Sequence, residues 1–217
     1  MKLKLFAFAC AAAVGPLFAA NVPRFNHVPE KLPAGTRLIN PKAAEKNHLL
    51  VVNVGGALSE ADFSTIVTYT LTRVNVNAWT NSIPESCWRA CIDSPELVKE
   101  KFGPHATVVV FLEKNKQGFS FMNVPGHWSM VNLRGLDKDS PTPQVLRDRT
   151  AKMLLKGMAH ACGVGASVDE LCALNYDSFT LKGMDKTDIR ISAMSYFPML
   201  STLEALGGPE MVTLDYE

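Results

Sequence analysis

Hydrophobic and polar positions divide the chain into three regimes. Residues 5–14, LFAFACAAAV, are apolar without interruption. Residues 21–47 show little periodicity and carry Pro23, Pro29, Pro33, Gly35 and Pro41, which predicts an extended lead-in that lies across the surface or is partly disordered. From His48 onward the pattern is that of an α/β domain. His48–Val54, HLLVVNV, runs into Gly55-Gly56 and predicts a buried strand. Ser59, followed by Glu60 and Asp62, predicts a helix start, because a hydroxyl caps free amides and carboxylates suit the positive helix end. Ile66, Val67, Thr70 and Leu71 give that helix an apolar stripe to about Arg73, and Val74–Trp79 predicts a second strand.

Ser94-Pro95-Glu96 predicts a short helix to Lys101, with Ser as cap and Pro at the first helical position, stopped by Gly103-Pro104. Ala106–Glu113, ATVVVFLE, is the strongest strand signal. Strands are also predicted at Phe119–Val124 and His127–Leu133, with turns at Lys116-Gln117-Gly118 and Pro125-Gly126. Beyond the breaker at Pro141 to Pro143, a long helix is predicted from Pro143 to Cys162. Leu154, Met158 and Cys162, with Leu155 and Ala159 beside them, form its apolar face. Gly163 and Gly165 end it, and the chain is then loop-rich until an amphipathic segment, Tyr196–Leu206, halted by Gly207-Gly208. No internal repeat or low-complexity tract interrupts this order. The expected fold is α/β: one domain over 48–217, a mixed, largely parallel sheet packed by two long helices, with an irregular C-terminal subdomain.

The first regime changes where this domain is expected to work. Lys2 and Lys4 precede the apolar stretch, and small residues at Ala19 and Ala20 offer a cleavage site, so residues 1–20 read as a secretory signal peptide. An uncleaved anchor is the competing reading, but the stretch is short for a bilayer and Gly15-Pro16 breaks it. Cys10 lacks a lipobox. The mature chain is therefore expected to be exported, either periplasmic or secreted, with no integral membrane segment. It would keep about 197 residues, enough for one cored domain. Its charge moves from +1 to −1 on loss of Lys2 and Lys4. A near-neutral chain without basic blocks offers no footprint for nucleic acid or for an anionic membrane surface.

Four cysteines remain after cleavage: Cys87, Cys91, Cys162 and Cys172. Outside the cytoplasm they permit two disulfides in three possible pairings, and buried free thiols are the alternative. Cys87 and Cys91 share a face if ESCWRAC is helical. Other chemistry is sparse. There is no G-x-S-x-G, no P-loop and no G-x-G-x-x-G after a strand, and Gly55-Gly56 is simply a turn. His105 and His127-Trp128 lie at spacings that propose no triad. Asp185 and Asp188 are expected to cap or solvate the C-terminal segment, and Met184, Met194 and Met199 to fill core.

One stretch carries a pattern. Laid without gaps on H-E-x-x-H-x-x-G-x-x-H-C-x4-C-x-M-x17-C-x-x-C, residues 156–195 place His160 on the second His, Gly163 on the turning Gly and Cys172 on the second Cys. Lys156 stands for the first His, Gly157 for the general-base Glu and Ala166 for the third His. Ser167 stands for the first Cys, Leu174 for the Met, and Ser192-Ala193-Met194-Ser195 for the closing C-x-x-C. With the element order, this segment resembles a degenerate archaemetzincin, a metzincin-type zinc peptidase. A register with His160 on the first His is the rival, and it too leaves at most one His.

The resemblance implies a catalytic zinc and a second, cysteine-rich zinc site, yet one catalytic ligand of three survives and the base position has no side chain. A catalytic zinc needs three protein ligands and an open position. No cofactor is therefore expected, unless zinc is held in a non-standard way. Lys156 has two readings: its ammonium fills the old metal pocket, or it is an exposed helix residue, and the plainer second is preferred. His160 reads as a satisfied, partly buried His. A His160–Cys162–Cys172 metal site is disfavoured, because His-x-Cys on a helix splays its side chains; a Cys162–Cys172 disulfide is the preferred use of that pair. The expected function is an exported, catalytically inactive metallopeptidase homologue that keeps its cleft for a peptide or protein ligand. An active zinc peptidase and a structural, envelope-associated domain are the alternatives.

Overall fold

The computed structural model describes residues 37–38, 49–76, 78–89, 106–112, 120–123 and 126–206. The expected signal peptide, most of the lead-in, the helix at 94–101, His48, His105, Cys91 and the side chain of Cys87 lie outside them.

Among the described residues, six strands form one sheet: β1 (Arg37–Leu38), β2 (Leu49–Val54), β3 (Trp79–Ile83), β4 (Ala106–Phe111), β5 (Ser120–Asn123) and β6 (Trp128–Asn132). Their order is β1-β3-β2-β4-β6-β5. The four central strands are parallel, with Val52 opposite Asn81 and Val109 and with Val109 opposite Met130. The outer strands are antiparallel: Arg37 pairs with Thr80, and Phe121 with Met130. Parallel pairing explains why β2 and β4 read as continuous apolar runs, since both faces of each are buried. Leu49, Val51, Val108, Val110 and Val131 face the helices, whereas Leu50, Val52, Val109, Phe111 and Met130 join Trp88 and Trp128 on the opposite face.

Two long helices cover the first face: α1 (Glu60–Val74) and α3 (Pro143–Ala161), separated in sequence by the short α2 (Glu85–Arg89). Ser59 caps α1 through its hydroxyl, which accepts from Asp62 N. Thr142 caps α3 in the same way, accepting from Val145 N, and Pro143 opens the first turn. After α3 come a 3-10 turn (Tyr176–Phe179), α4 (Leu181–Met184) and α5 (Ala193–Leu206). These make the irregular C-terminal subdomain, and the mixed α/β architecture is the expected one.

Two elements are shifted. The strand expected at Val74–Trp79 is Trp79–Ile83. Helix α1 runs to Val74 and stops at Asn75, which is left-handed at φ 49 and donates its amide to Leu71 O. Val74, Val76 and Ala78 are buried at alternate positions, so a link packed on the core mimics a strand's period of two. Helix α5 starts at Ala193, not Tyr196.

Candidate functional site

The site lies between α3 and the C-terminal subdomain. Every residue from Arg149 to Ala161 is buried. The expected apolar face, Leu154, Leu155, Met158, Ala159 and Cys162, packs inward, yet the opposite face is covered as well. It carries Arg149, Lys152, Lys156 and His160, whose spacings of three, four and four put them on one helical stripe. The subdomain folds over that stripe and supplies acceptors. Arg149 donates to Asp139, Asp185 and the Leu136 carbonyl. Lys152 Nζ donates to Met184 O at 2.9 Å, and Lys156 Nζ donates to Ser178 O.

Lys156 is therefore not an exposed helix residue: it is 1% exposed. Its ammonium lies 4.8 Å from the centre of the Phe179 ring, and the same ring stacks parallel to His160 with centroids 6.5 Å apart. Burial, and then the neighbouring Lys152, lower the Lys156 pKa to about 8, leaving it charged at neutral pH. Burial, and then the Lys156 charge, push His160 down, so its imidazole is neutral. His160 Nδ1 is buried without a hydrogen-bond partner among the described residues, so the ring is packed but not fully satisfied by them.

The position of the general base is closed. A Cβ on Gly157 would lie 2.7 Å from both Val108 Cγ1 and Val131 Cγ2, and Ser129 Oγ donates to the Gly157 carbonyl at 2.7 Å. Glycine here lets α3 rest directly on β4 and β6. At the helix end Gly163 is left-handed, with φ 75, and Val164 N donates back to Ala159 O at 2.8 Å, so the chain turns as the resemblance implies. Ala166 brings no ligand atom to the turn. These residues do not fit a catalytic zinc: a buried ammonium, one imidazole and one methyl group stand where a metal needs three donors. No group of three or more His, Cys, Asp or Glu converges anywhere among the described residues.

The four positions assigned to the second, cysteine-rich site do come together. Ser167 Oγ and Ser192 Oγ are 3.3 Å apart, and Ser192 Oγ donates to Ser195 Oγ at 3.1 Å. Cys172 Sγ accepts from Ser192 N at 3.3 Å and from Leu174 N at 3.4 Å. A chain of hydroxyls, with one thiol held by backbone amides, occupies the positions that the resemblance assigned to four cysteines.

Cys162 and Cys172 are both buried free thiols, so the expected disulfide between them is not formed. Cys162 belongs to the main core and Cys172 to a small cluster with Ala159 and Leu174, and their side chains pack in different places. Burial pushes the Cys162 thiol up to about 12, which makes it inert. Met184 and Met199 fill core as expected, whereas Met194 is 85% exposed. Asp185 is the C-cap of α4, one of the two roles expected of it, and its carboxylate binds Arg149; Asp188 lies 4.0 Å from Arg190. His127, with a left-handed backbone at φ 52, has a buried Nδ1 without a partner among the described residues and forms no triad with them. The Arg149 network escaped the sequence reading, although basic residues at 149, 152, 156 and 160 on one helical stripe were a visible signal.

Strand order, a long helix on the sheet and the subdomain folded over its polar stripe define a metallopeptidase-like α/β fold of the archaemetzincin type. An archaemetzincin from Methanopyrus kandleri shares it with a TM-score of 0.54 and 18% identity, over 72% of this chain and 96% of that one. A zinc-dependent peptidase from Methanocorpusculum labreanum shares it with a TM-score of 0.53 and 9% identity, over 69% and 99% respectively. No protein-family model and no curated protein sequence matches the chain.

Proposed function

We propose that this chain is an exported, non-hydrolytic relative of the archaemetzincins that binds an extended peptide. The observation that carries the loss of hydrolysis is the buried Lys156 ammonium, held by Ser178 O beside His160 at the position of a zinc ligand. A cation bound there by a carbonyl and an aromatic face opposes a dication by direct repulsion. Gly157, pressed against Val108 and Val131, leaves no room for a carboxylate base. Peptide binding is supported by β5, an antiparallel strand at the end of the sheet order that packs beside α3. An edge strand offers unpaired amides and carbonyls to an extended segment. Export rests on the basic, apolar and small-residue pattern of residues 1–20.

The test is metal content by mass spectrometry on mature protein purified from the cell envelope or medium, without chelators or a His tag. Less than about a tenth of an equivalent of zinc is expected, because a catalytic site needs three ligands. Near-stoichiometric zinc abolished by His160→Ala would overturn the reading. Amide exchange at 120–123, followed while a library of extended peptides is added, tests the binding half: slowed exchange supports it, and unchanged exchange across the library refutes it.

A further inference from the structure

A concavity against the first half of α3 includes none of the residues assigned to either metal position. It is a cleft of about 520 Å³ at the carboxyl ends of the central parallel strands. Ala57 and Leu58 enter it from the turn after β2, Leu112 from the end of β4, Leu133 to Asp137 from the turn after β6, and Leu146 and Thr150 from the first half of α3. Its volume falls within the usual range for small-molecule sites. Its place is where physical chemistry puts ligands in open parallel sheets: β2 connects outward to β3, the chain then crosses to β4 on the other side of β2, and the loops diverge between them.

We infer that this cleft binds a small zwitterion with a compact apolar body, namely an α-amino acid with a large apolar side chain. Most of the lining is leucine, and two exposed lining residues carry charges of opposite sign, Arg134 and Asp137. Neither makes an ion pair with another described residue, whereas the buried Arg149 and the exposed Arg190 are both paired to carboxylates. A zwitterion uses both rim charges, its carboxylate on the Arg134 guanidinium and its ammonium on Asp137. The floor excludes a long acyl chain. Beneath Leu58, Leu133 and Thr150 only about 10 Å³ of space continues inward, and Phe63, Val67, Val110 and Leu154 close it. A ring or a branched side chain therefore fits and a threading tail does not.

The rim is held in place from below. Leu136 is fully buried, its carbonyl accepts from Arg149 Nη1 at 2.6 Å, and Asp139 binds the same guanidinium. Arg134 N donates to Asn132 Oδ1 at 3.0 Å. Arg134 and Asp137 thus project from a turn fixed at both ends, which lowers the ordering cost of binding.

The experiment is an isothermal and amide-shift titration of the full mature chain with L-phenylalanine, 3-phenylpropanoate and phenethylamine. The expected result is saturable binding of phenylalanine, with shifts at 57–58 and 133–137, and at least tenfold weaker binding of each analogue. Arg134→Gln should weaken phenylalanine at least tenfold and leave phenethylamine unchanged; Asp137→Asn should likewise weaken phenylalanine at least tenfold and leave 3-phenylpropanoate unchanged. Equal binding of all three compounds, shifts centred elsewhere, or no saturation up to millimolar phenylalanine would each overturn the inference.

Discussion

Arg149 grips Asp185 with two parallel bonds, Nε to Oδ1 at 2.8 Å and Nη2 to Oδ2 at 2.6 Å, although the arginine lies in α3 and the aspartate follows α4. Its remaining donors go to Asp139 and Leu136 O, so a guanidinium that is 1% exposed is fully satisfied. This one side chain pins the turn after β6 and the C-terminal subdomain to the same helix.

The network makes a pH prediction. Hydrogen bonding to Arg149 holds both Asp185 and Asp139 below the usual carboxylate range. A depressed carboxylate contributes stability that is present above its unfolded pKa, about 4, and is lost as pH falls through the folded value. Urea melts should therefore show stability falling as pH drops below about 4, and Arg149→Met should flatten that slope. At pH 7 the same variant should lose roughly 2–3 kcal/mol, less than five bonds would suggest, because the desolvation penalty of the guanidinium leaves with it.

Lys156 gives a slope of the same sign for the opposite reason: its charged form is destabilised by folding, not stabilised. Its folded pKa of about 8 lies below the ordinary lysine value, so the folded state holds fewer protons between the two, and stability rises as pH climbs through that window. Below pH 8 the buried charge carries its full penalty. Lys156→Met, of similar length and uncharged, should raise the melting temperature at pH 7, by about 1–3 kcal/mol in stability, and the advantage should shrink between about pH 8 and 10. A drop in stability at pH 7 would mean that the bond to Ser178 O outweighs desolvation.

Gly157 tests the packing of α3. Gly157→Ala places a methyl 2.7 Å from two valine methyls on adjacent strands, and neither can swing away within the buried face. The gain in helix propensity, about 1 kcal/mol, is smaller than the overpacking expected. The net should be a loss of about 1–2 kcal/mol by chemical denaturation, and Val108→Ala in the same chain should recover part of it.

The serine cluster makes the prediction most specific to the archaemetzincin-type pattern. Ser167, Ser192 and Ser195 stand with Cys172 in hydrogen-bond contact. Four thiolates in such a place suit tetrahedral zinc. Ser167→Cys, Ser192→Cys and Ser195→Cys combined should therefore take up about one equivalent of zinc and raise the melting temperature in a zinc-dependent way. A triple variant that folds but binds no zinc would show that the four side chains are neighbours without the geometry of a site.

The pattern of apolar positions by itself determined the α/β class and placed β2, β4, β6, both long helices and the Ser59 cap of α1, because these follow from local periodicity and short-range capping, whereas the pairing of the strands and the Thr142 cap of α3 came from the fold. The resemblance to the archaemetzincin pattern aligned His160, Gly163, Cys172 and the serines with its motif positions, since that pattern is carried by a single contiguous segment. What Lys156 does was decided only by tertiary structure. A lysine among leucines on a helix has the pattern of a solvated residue, and nothing within its own turn announces that Ser178 O and Phe179 will close over it. The same holds for Arg149 with Asp185, for the two unlinked thiols and for the cleft between β2, β4 and α3, each made by residues tens of positions apart. Burial and pairing are properties of the folded neighbourhood, and periodicity reports a helix's own face but not what a distant loop lays across it.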